Sequence, residues 1–446
     1  LAFLLILIGA ACSKTSQKED RPNVIIIFTD DQGYSDLSSY GAVGIETPNI
    51  DALAASGIRF TDFYVPATVC TPSRAALMTG SYPKRVGLHE AVLFPFSEEG
   101  LNTNEVTMAE VFKSSGYATA CIGKWHLGHQ PEFMPNRQGF DHFFGVPYSN
   151  DMDGYFYRGR DFQSPPLPLY KNEKLVESGP DQRYLTKRYT EELTEYIEGH
   201  GQEPFFIYMA HNMPHIPLHT SEDFAGSSKQ GLYGDVIQEI DWSVGEIVKT
   251  LKAMGLYDNT IIVFTSDNGP HRGKNGGTAQ PLRGFKASTW EGGQRVPGII
   301  SWPNRIPAGV ESNAVINTMD LFPSLTRFAG AELPASRVID GRDLSDYLLN
   351  PKDQSVADAP FYYYARNGEV EAVRLGKWKL HVKKSIGWTE ENGTFTPMLI
   401  NLDDDISETT NLAAQEPEIV EQLAELITEF DLRLTKEARP VGTRQE

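Results

Sequence analysis

The chain has 446 residues, 40% hydrophobic and 22% charged, the balance of a globular protein long enough for a large core domain and something smaller. With 59 acidic against 40 basic side chains its formal net charge is −19. That excludes nucleic acid and charge-driven binding to anionic membranes, and it requires that any anionic substrate be drawn by a local cation cluster or a metal.

The first stretch, LAFLLILIGAAC, starts without Met or a basic segment, so the true start is expected upstream. Its apolar run is too short to span a membrane and fits the core of a signal peptide. Two processing sites stay open. Gly9-Ala10-Ala11 fits small-x-small cleavage. Alternatively, Cys12 is the lipidated first residue of a bacterial lipoprotein, with SKTSQKED as its tether, although Gly9 stands where Leu or Val is usual. Either way residues 1–20 are excluded from the fold. The protein is expected to be exported, as a periplasmic protein or an outer-membrane lipoprotein.

Strands and helices then alternate. NVIIIFTDD is a continuous apolar run, as for a strand buried on both faces. TPNIDALAASG reads as a helix, IRFTDFY as extended, TMAEVFKSSG as a helix and YATACIGKW as a strand. RYLTKRYTEELTEYIEG is an amphipathic helix, PFFIYMAHN a strand, LYGDVIQEIDWSVGEIVKTLKAMG a second long helix and TIIVFTSDNG a strand. The expected class is α/β around a largely parallel sheet. NDMDGYFYRGRDFQSPPLPLY breaks the rhythm as a long irregular insertion. From about residue 350 the character changes: APFYYYA, VEAVRLGKWKLHV and MLINL read as hairpin strands, and PEIVEQLAELITEFDLRLTKEA as a closing helix. The expected division is a tether over 1–20, a catalytic domain over 21–350 and a smaller antiparallel α+β subdomain over 351–446.

Cys70 sits where an extended segment meets a helix, in VPATVCTPSRAALMTG. Thr71 reads as the N-cap, Pro72 as the first helical residue and Gly80 as the stop. At a helix N-terminus the backbone N–H groups favour negative charge, which suits a nucleophile or an anion. An ordinary buried cysteine fits there as well. Apart from Cys12, the other cysteine is Cys121. Export permits a disulfide between Cys70 and Cys121, but a structural thiol in the YATACIG strand is the simpler reading.

Two strands end alike. VIIIFTDD ends in Asp30 and Asp31, and IIVFTSDNG in Asp267 and Asn268. In open α/β sheets ligands bind at the carboxyl ends of strands. Side by side, these ends offer three carboxylates and an amide oxygen, a hard-oxygen set for Ca²⁺ or Mg²⁺ with nothing pointing to zinc. GKWHLG carries Lys124 and His126 on one face if extended. HNMPHIPLH carries His211, His215 and His219, of which His215, between two prolines, stands out. LRGFKASTWEGG offers Lys286.

Together these residues resemble the sulfatases. CTPSR matches the C-x-P-x-R motif in which the family converts Cys to formylglycine. FTDDQGYSD, LMTGSYPKRVGL, GKWHLG, GVPYSND, PHIP, SDNG and KASTWEGG follow in family order, and the likeness reaches LINLDDDISETTNLA. The arylsulfatase A type is the most similar, and the resemblance implies the alkaline-phosphatase-like sheet. It implies that residue 70, hydrated to a geminal diol, attacks the sulfur of a sulfate ester, and that collapse of the diol then expels sulfate. Asp30, Asp31, Asp267 and Asn268 would bind Ca²⁺ with residue 70. Arg74 would orient the diol, Lys124 and Lys286 would hold sulfate oxygens, and His126 would act as base. His215 would bind sulfate and protonate the leaving oxygen, and Ser149 would complete the sulfate site. A formylglycine-generating enzyme is the implied maturation partner.

The implied substrate is a sulfated carbohydrate, an algal polysaccharide or a glycosaminoglycan oligosaccharide. Asp151, Asp153, Tyr155, Tyr157, Arg158, His89, His271 and Arg272 could touch it, or could belong to ordinary surface loops. Two alternatives remain: a phosphonate or phosphodiester hydrolase of the same superfamily, and a non-catalytic protein that binds sulfated glycans.

Overall fold

The segment NVIIIFT has no polar face because its strand lies in the middle of a sheet covered on both sides. The computed structural model describes residues 21–444 except 91, 155–164, 202, 272, 274–275, 386 and 388–393. In chain order the sheet is built from β1 (Asn23–Thr29), β2 (Ile58–Phe60), β3 (Ala118–Lys124), β4 (His142–Val146), β5 (Pro168–Lys171), β6 (Lys174–Ser178), β7 (Phe205–Ala210), β8 (Thr260–Ser266), β9 (Gly298–Ser301) and β10 (Val310–Ser312). Across the sheet the order is β10-β2-β9-β8-β1-β7-β3-β4-β5-β6. The central strands β8, β1, β7, β3 and β4 run parallel. The flanks turn antiparallel at β8–β9, β9–β2, β4–β5 and β5–β6. The sheet is therefore mixed and largely parallel.

Alternate residues of β1 feed two cores. Val24, Ile26 and Phe28 join Ala75, Leu77 and Met78 of the helix Cys70–Thr79. Ile25 and Ile27 join the opposite cluster, with Ile50 and Leu53 of Pro48–Ala55, Leu193 and Ile197 of Leu185–His200, and Ile237, Ile240, Val244 and Ile247 of Gly231–Ala253. The spacing in that last helix is the three-to-four-residue repeat of a buried stripe. Thr107 and Glu110 form a capping box that starts Met108–Ser114.

The helix carrying Cys70 departs from the sequence reading at its start. Its N-cap is Val69, so Cys70 is the first helical residue and Pro72 lies third. Proline is tolerated throughout the first turn, whose N–H groups have no partner within the helix. Thr71 is not a cap: its Oγ1 donates to the carbonyl of His126 (3.0 Å) and accepts from Leu93 N (3.2 Å). Gly80 ends the helix as expected, with φ 62°.

One glycine position matters for the site. Gly123, just before Lys124, has φ +108°, and a Cβ there would lie 1.8 Å from the carbonyl oxygen of Ala210 on β7. Its neighbour on β4, Gly145, would meet the oxygen of Gly123 at 1.9 Å. Gly123→Ala is expected to cost about 3 kcal/mol or more, from backbone strain plus displacement of a central strand. A urea unfolding midpoint equal to that of the wild type would refute this.

The C-terminal part forms a second, antiparallel sheet, β11 (Phe361–Tyr364), β12 (Val370–Leu375), β13 (Trp378–His381) and β14 (Met398–Asn401), in that spatial order. The helix Pro417–Lys436 covers it with Leu423, Ile427, Phe430 and Leu434, and Ala76, Tyr82 and Met319 of the larger part belong to the same cluster. The insertion after residue 150 begins as a short turn, Asn150–Met152, and returns as β5; Tyr155, Tyr157 and Arg158 lie outside the described residues.

Candidate active site

β1 and β8 are parallel neighbours, with Thr29 opposite Ser266, so their carboxyl ends open side by side. The two acidic pairs therefore meet. Asp31 N–H donates to Asp267 Oδ1 (3.1 Å), and Asn268 Nδ2 donates to Asp31 Oδ1 (2.7 Å). The helix Cys70–Thr79 enters this cluster by its N-terminus. Cys70 Sγ lies 3.6 Å from Asp30 Oδ1 and 3.5 Å from Lys286 Nζ. One helical turn on, Arg74 pairs with Asp267 Oδ2 (2.8 Å) and reaches Asp30 Oδ1 at 3.6 Å. Its other nitrogen donates to the carbonyl of Lys124 and to Tyr208 Oη, both at 3.2 Å.

Two lysines close the ring. Lys124 Nζ meets Asp30 Oδ2 at 2.6 Å and Ser149 Oγ at 3.2 Å. Lys286 Nζ meets Asp31 Oδ1 at 2.6 Å. His215 donates from Nδ1 to the carbonyl of Ile216 (2.6 Å) and turns Nε2 toward Asp31 Oδ2 (3.6 Å). One ligand atom from each of Asp30, Asp31, Cys70 and His215 falls within 4.8 Å of the others.

Three carboxylates thus face three fixed cations with almost no water contact. Burial pushes the Asp30 carboxyl up, and Lys124, His215 and Arg74 reverse this to hold it below the usual range. Asp267 stays raised, by burial and by the charge of Asp30. Burial works against the Lys286 ammonium, but Asp31 leads the groups that raise it well above its ordinary value. The Cys70 thiol is raised by burial, so no free thiolate stands here at neutral pH.

His126 is handled differently. An imidazole nitrogen facing a carbonyl must donate, and Nε2 lies 2.9 Å from Leu93 O. Burial, then Lys124, pushes its pKa well below the ordinary histidine value. The ring is neutral at pH 7, and Nδ1 is left as a lone-pair acceptor with no hydrogen-bond partner among the described residues.

The donor set fits a hard cation. Asp31 Oδ2 and Asn268 Oδ1 are buried and accept no hydrogen bond from the described residues, as acceptors reserved for a metal would be. The structure therefore brings together all eight of Asp30, Asp31, Cys70, Arg74, Lys124, His215, Asp267 and Lys286, with Asn268 and Ser149 bonded into the same cluster and His126 joined to it through Thr71. Asp151 follows Ser149 in the short turn after β4, and Asp153 caps that turn. His89 pairs with Glu90, and Arg272, beside His271, lies outside the described residues. His211 is fully buried, with neither ring nitrogen hydrogen-bonded to a described residue. Sequence reasoning missed Tyr208 and Leu93, and it read Thr71 only as a cap. Tyr208 sits in an apolar strand that gives no sign of a polar task, and Leu93 acts through its carbonyl, which no residue type announces.

Comparison with known proteins agrees with this geometry. The sulfatase family model matches residues 22–331, and the model for the C-terminal region of aryl-sulfatase matches residues 356–445. Arylsulfatase A of Bos taurus is 38% identical over 93% of this chain and 89% of its own length. N-acetylgalactosamine-6-sulfatase of Canis lupus familiaris is 38% identical over 87% of this chain and 76% of its own. Among solved structures, Ps i-CgsB in complex with k-i-k-neocarrahexaose superposes with TM-score 0.81 at 30% identity, covering 92% of each chain. The chain belongs to the sulfatase family and is a sulfuric ester hydrolase with the alkaline-phosphatase-like fold.

Proposed function

We propose that the protein removes sulfate from a sulfated carbohydrate, with residue 70 matured to formylglycine as the nucleophile and Ca²⁺ held by Asp30, Asp31, Asp267 and Asn268. The observation that carries this is the position of Cys70: a helix N-terminus at the junction of two acidic strand ends, within 3.6 Å of both a carboxylate and an ammonium. Ca²⁺ bound there would supply charge that lowers the pKa of the nucleophile and stabilises charge developing on sulfate oxygens. The chain's own groups do the rest. Arg74, fixed by Asp267 and Tyr208, orients residue 70. Lys124, Lys286, Ser149 and His215 hold sulfate oxygens and exclude water. Nδ1 of His126 takes the proton whose removal expels sulfate, and His215 protonates the leaving alcohol.

The carbohydrate assignment is supported by the sulfatases named for N-acetylgalactosamine and solved with neocarrahexaose. Cys70 is 2% exposed. A formylglycine-generating enzyme must therefore reach it before the chain folds, and residues 1–20 would direct the export that accompanies this.

The test is inorganic sulfate release by the matured enzyme from a panel of defined algal and animal sulfated oligosaccharides. Chelation should abolish release and Ca²⁺ restore it. Ca²⁺ at a hundred times its dissociation constant should also stabilise the fold by about 2.7 kcal/mol, a readout independent of turnover. Turnover of aryl sulfates with silence across the whole panel would overturn the carbohydrate assignment.

A further inference from the structure

His126 takes up the left-handed backbone region, φ 60°, which residues with a side chain rarely adopt. It is held there from both sides. Its N–H donates to Pro147 O (3.1 Å), and its carbonyl accepts from Thr71 Oγ1 (3.0 Å). Thr71 directly follows Cys70 in the helix Cys70–Thr79 and is 1% exposed. A hydroxyl has one proton to give, and here the His126 carbonyl takes it. The oxygen is left to accept, and Leu93 N–H donates to it (3.2 Å).

The clasp closes at the ring. His126 Nε2 lies 2.9 Å from Leu93 O, the carbonyl of the same residue whose N–H rests on Thr71. One hydroxyl therefore grips the histidine backbone with its proton and the residue that receives the histidine ring with its lone pair. The Leu93 side chain packs against the core cluster that contains Trp125 and Leu127, the residues on either side of His126. An imidazole nitrogen bonded to a carbonyl keeps its proton, so in a neutral ring the other nitrogen is the acceptor. Leu93 O thus fixes Nδ1 of His126 as the lone pair, and Thr71 fixes Leu93.

We infer that Thr71 is a positioning residue: through Leu93 it sets the tautomer and the aim of His126, and from its place beside residue 70 it keeps base and nucleophile in register. This rests on the reading above in which Nδ1 of His126 takes the proton that expels sulfate. Thr71 Oγ1 bonds to His126 and Leu93 and to none of Lys124, Lys286, Ser149 and His215, the groups that would hold sulfate. Loss of the hydroxyl should therefore slow the expulsion of sulfate and spare the cleavage of the ester that precedes it.

The experiment uses Thr71→Val, which keeps the shape and removes the hydroxyl, and Thr71→Ser, which keeps the hydroxyl. With an aryl sulfate, kcat of matured Thr71→Val is expected to fall about tenfold or more. KM should fall with it, so that kcat/KM, which reports only the steps up to ester cleavage, holds near the wild-type value. The released alcohol should then show a burst ahead of the steady state. Serine should restore most of kcat. Thr71→Ala should repeat the valine pattern, and it serves where valine unsettles the fold. A second readout needs no turnover. In proton–nitrogen NMR of the labelled protein with Cys70 unconverted, the His126 Nε2–H signal, assigned by its loss in His126→Ala, is expected to exchange slowly with solvent in the wild type and in Thr71→Ser, and fast in Thr71→Val. Slow exchange in Thr71→Val would overturn the positioning role, and so would a loss of kcat/KM equal to that of kcat. Full kcat in His126→Ala would instead overturn the assignment of His126 on which the inference rests.

Discussion

Cys70→Ala is expected to reduce sulfate release by at least about 10⁴-fold while the protein remains folded. Cys70 is the first residue of its helix, and alanine is the best helix former, so the backbone has no reason to change. The only atom lost is Sγ, which contacts Asp30 at 3.6 Å and Lys286 at 3.5 Å. The ion pairs that hold those two groups, Lys124–Asp30 and Lys286–Asp31, do not involve the sulfur. The stability change should therefore be about 1 kcal/mol or less, read from a denaturation midpoint. Cys70→Ser distinguishes the proposed nucleophile from a simple hydroxyl or thiol. Serine brings one hydroxyl, whereas release of sulfate through an aldehyde hydrate needs a second. Multiple turnovers at a tenth of the wild-type rate or better in the serine variant would remove the formylglycine from the scheme.

The acidic half of the site was legible because it is written locally. An apolar run that ends in two acidic residues reports both a buried parallel strand and what stands at its carboxyl end. Two such runs in an α/β pattern can meet at one edge, and β1 and β8 do. The cations were legible only as a set. Lys124 and Lys286 are ordinary residues in isolation, and the C-x-P-x-R resemblance gave them roles. The start of the Cys70 helix was misread by two residues, since Pro72 marks a first turn without fixing which of its positions it occupies. Least legible were contacts made by backbone atoms or across great distances in the chain. The clasp on Leu93 and the partners of Lys379 are of that kind, because neither a carbonyl nor a pairing between subdomains leaves a periodic trace in sequence.

Lys379→Met is expected to destabilise the protein by about 3–5 kcal/mol and to impair sulfate binding at a distance. Lys379, on β13, is fully buried, and its ammonium meets Glu291 Oε1 (2.9 Å), Glu408 Oε1 (2.8 Å) and the carbonyl of Thr289 (2.9 Å). Glu291 keeps Arg295 at 3.3 Å and the hydroxyl of Tyr363 at 2.8 Å if the lysine is lost. Glu408 keeps the backbone N–H of Glu291 at 2.7 Å and His381 at 3.3 Å, but burial holds that imidazole down at about 4, so it is neutral at pH 7 and supplies no countercharge. An uncompensated buried carboxylate is the result. Thr289 and Glu291 belong to the loop that carries Lys286, and the C-terminal part also grips this loop through Ser385, which accepts from Thr289 N–H (2.8 Å). Loosening it should raise KM for the sulfate ester through misplacement of Lys286. In Lys379→Met with Glu408→Gln both partners are removed, and at least half the lost stability should return. Burial raises the Glu291 carboxyl, but Lys379 leads the cations that bring it below its ordinary value of about 4.5. Its contribution in the wild type is thus full above that pH and is lost as pH falls. The stability gap between wild type and Lys379→Met should therefore narrow as pH falls below about 4.5. A single variant that loses less than about 1 kcal/mol would show that this network does not hold the lysine loop in place.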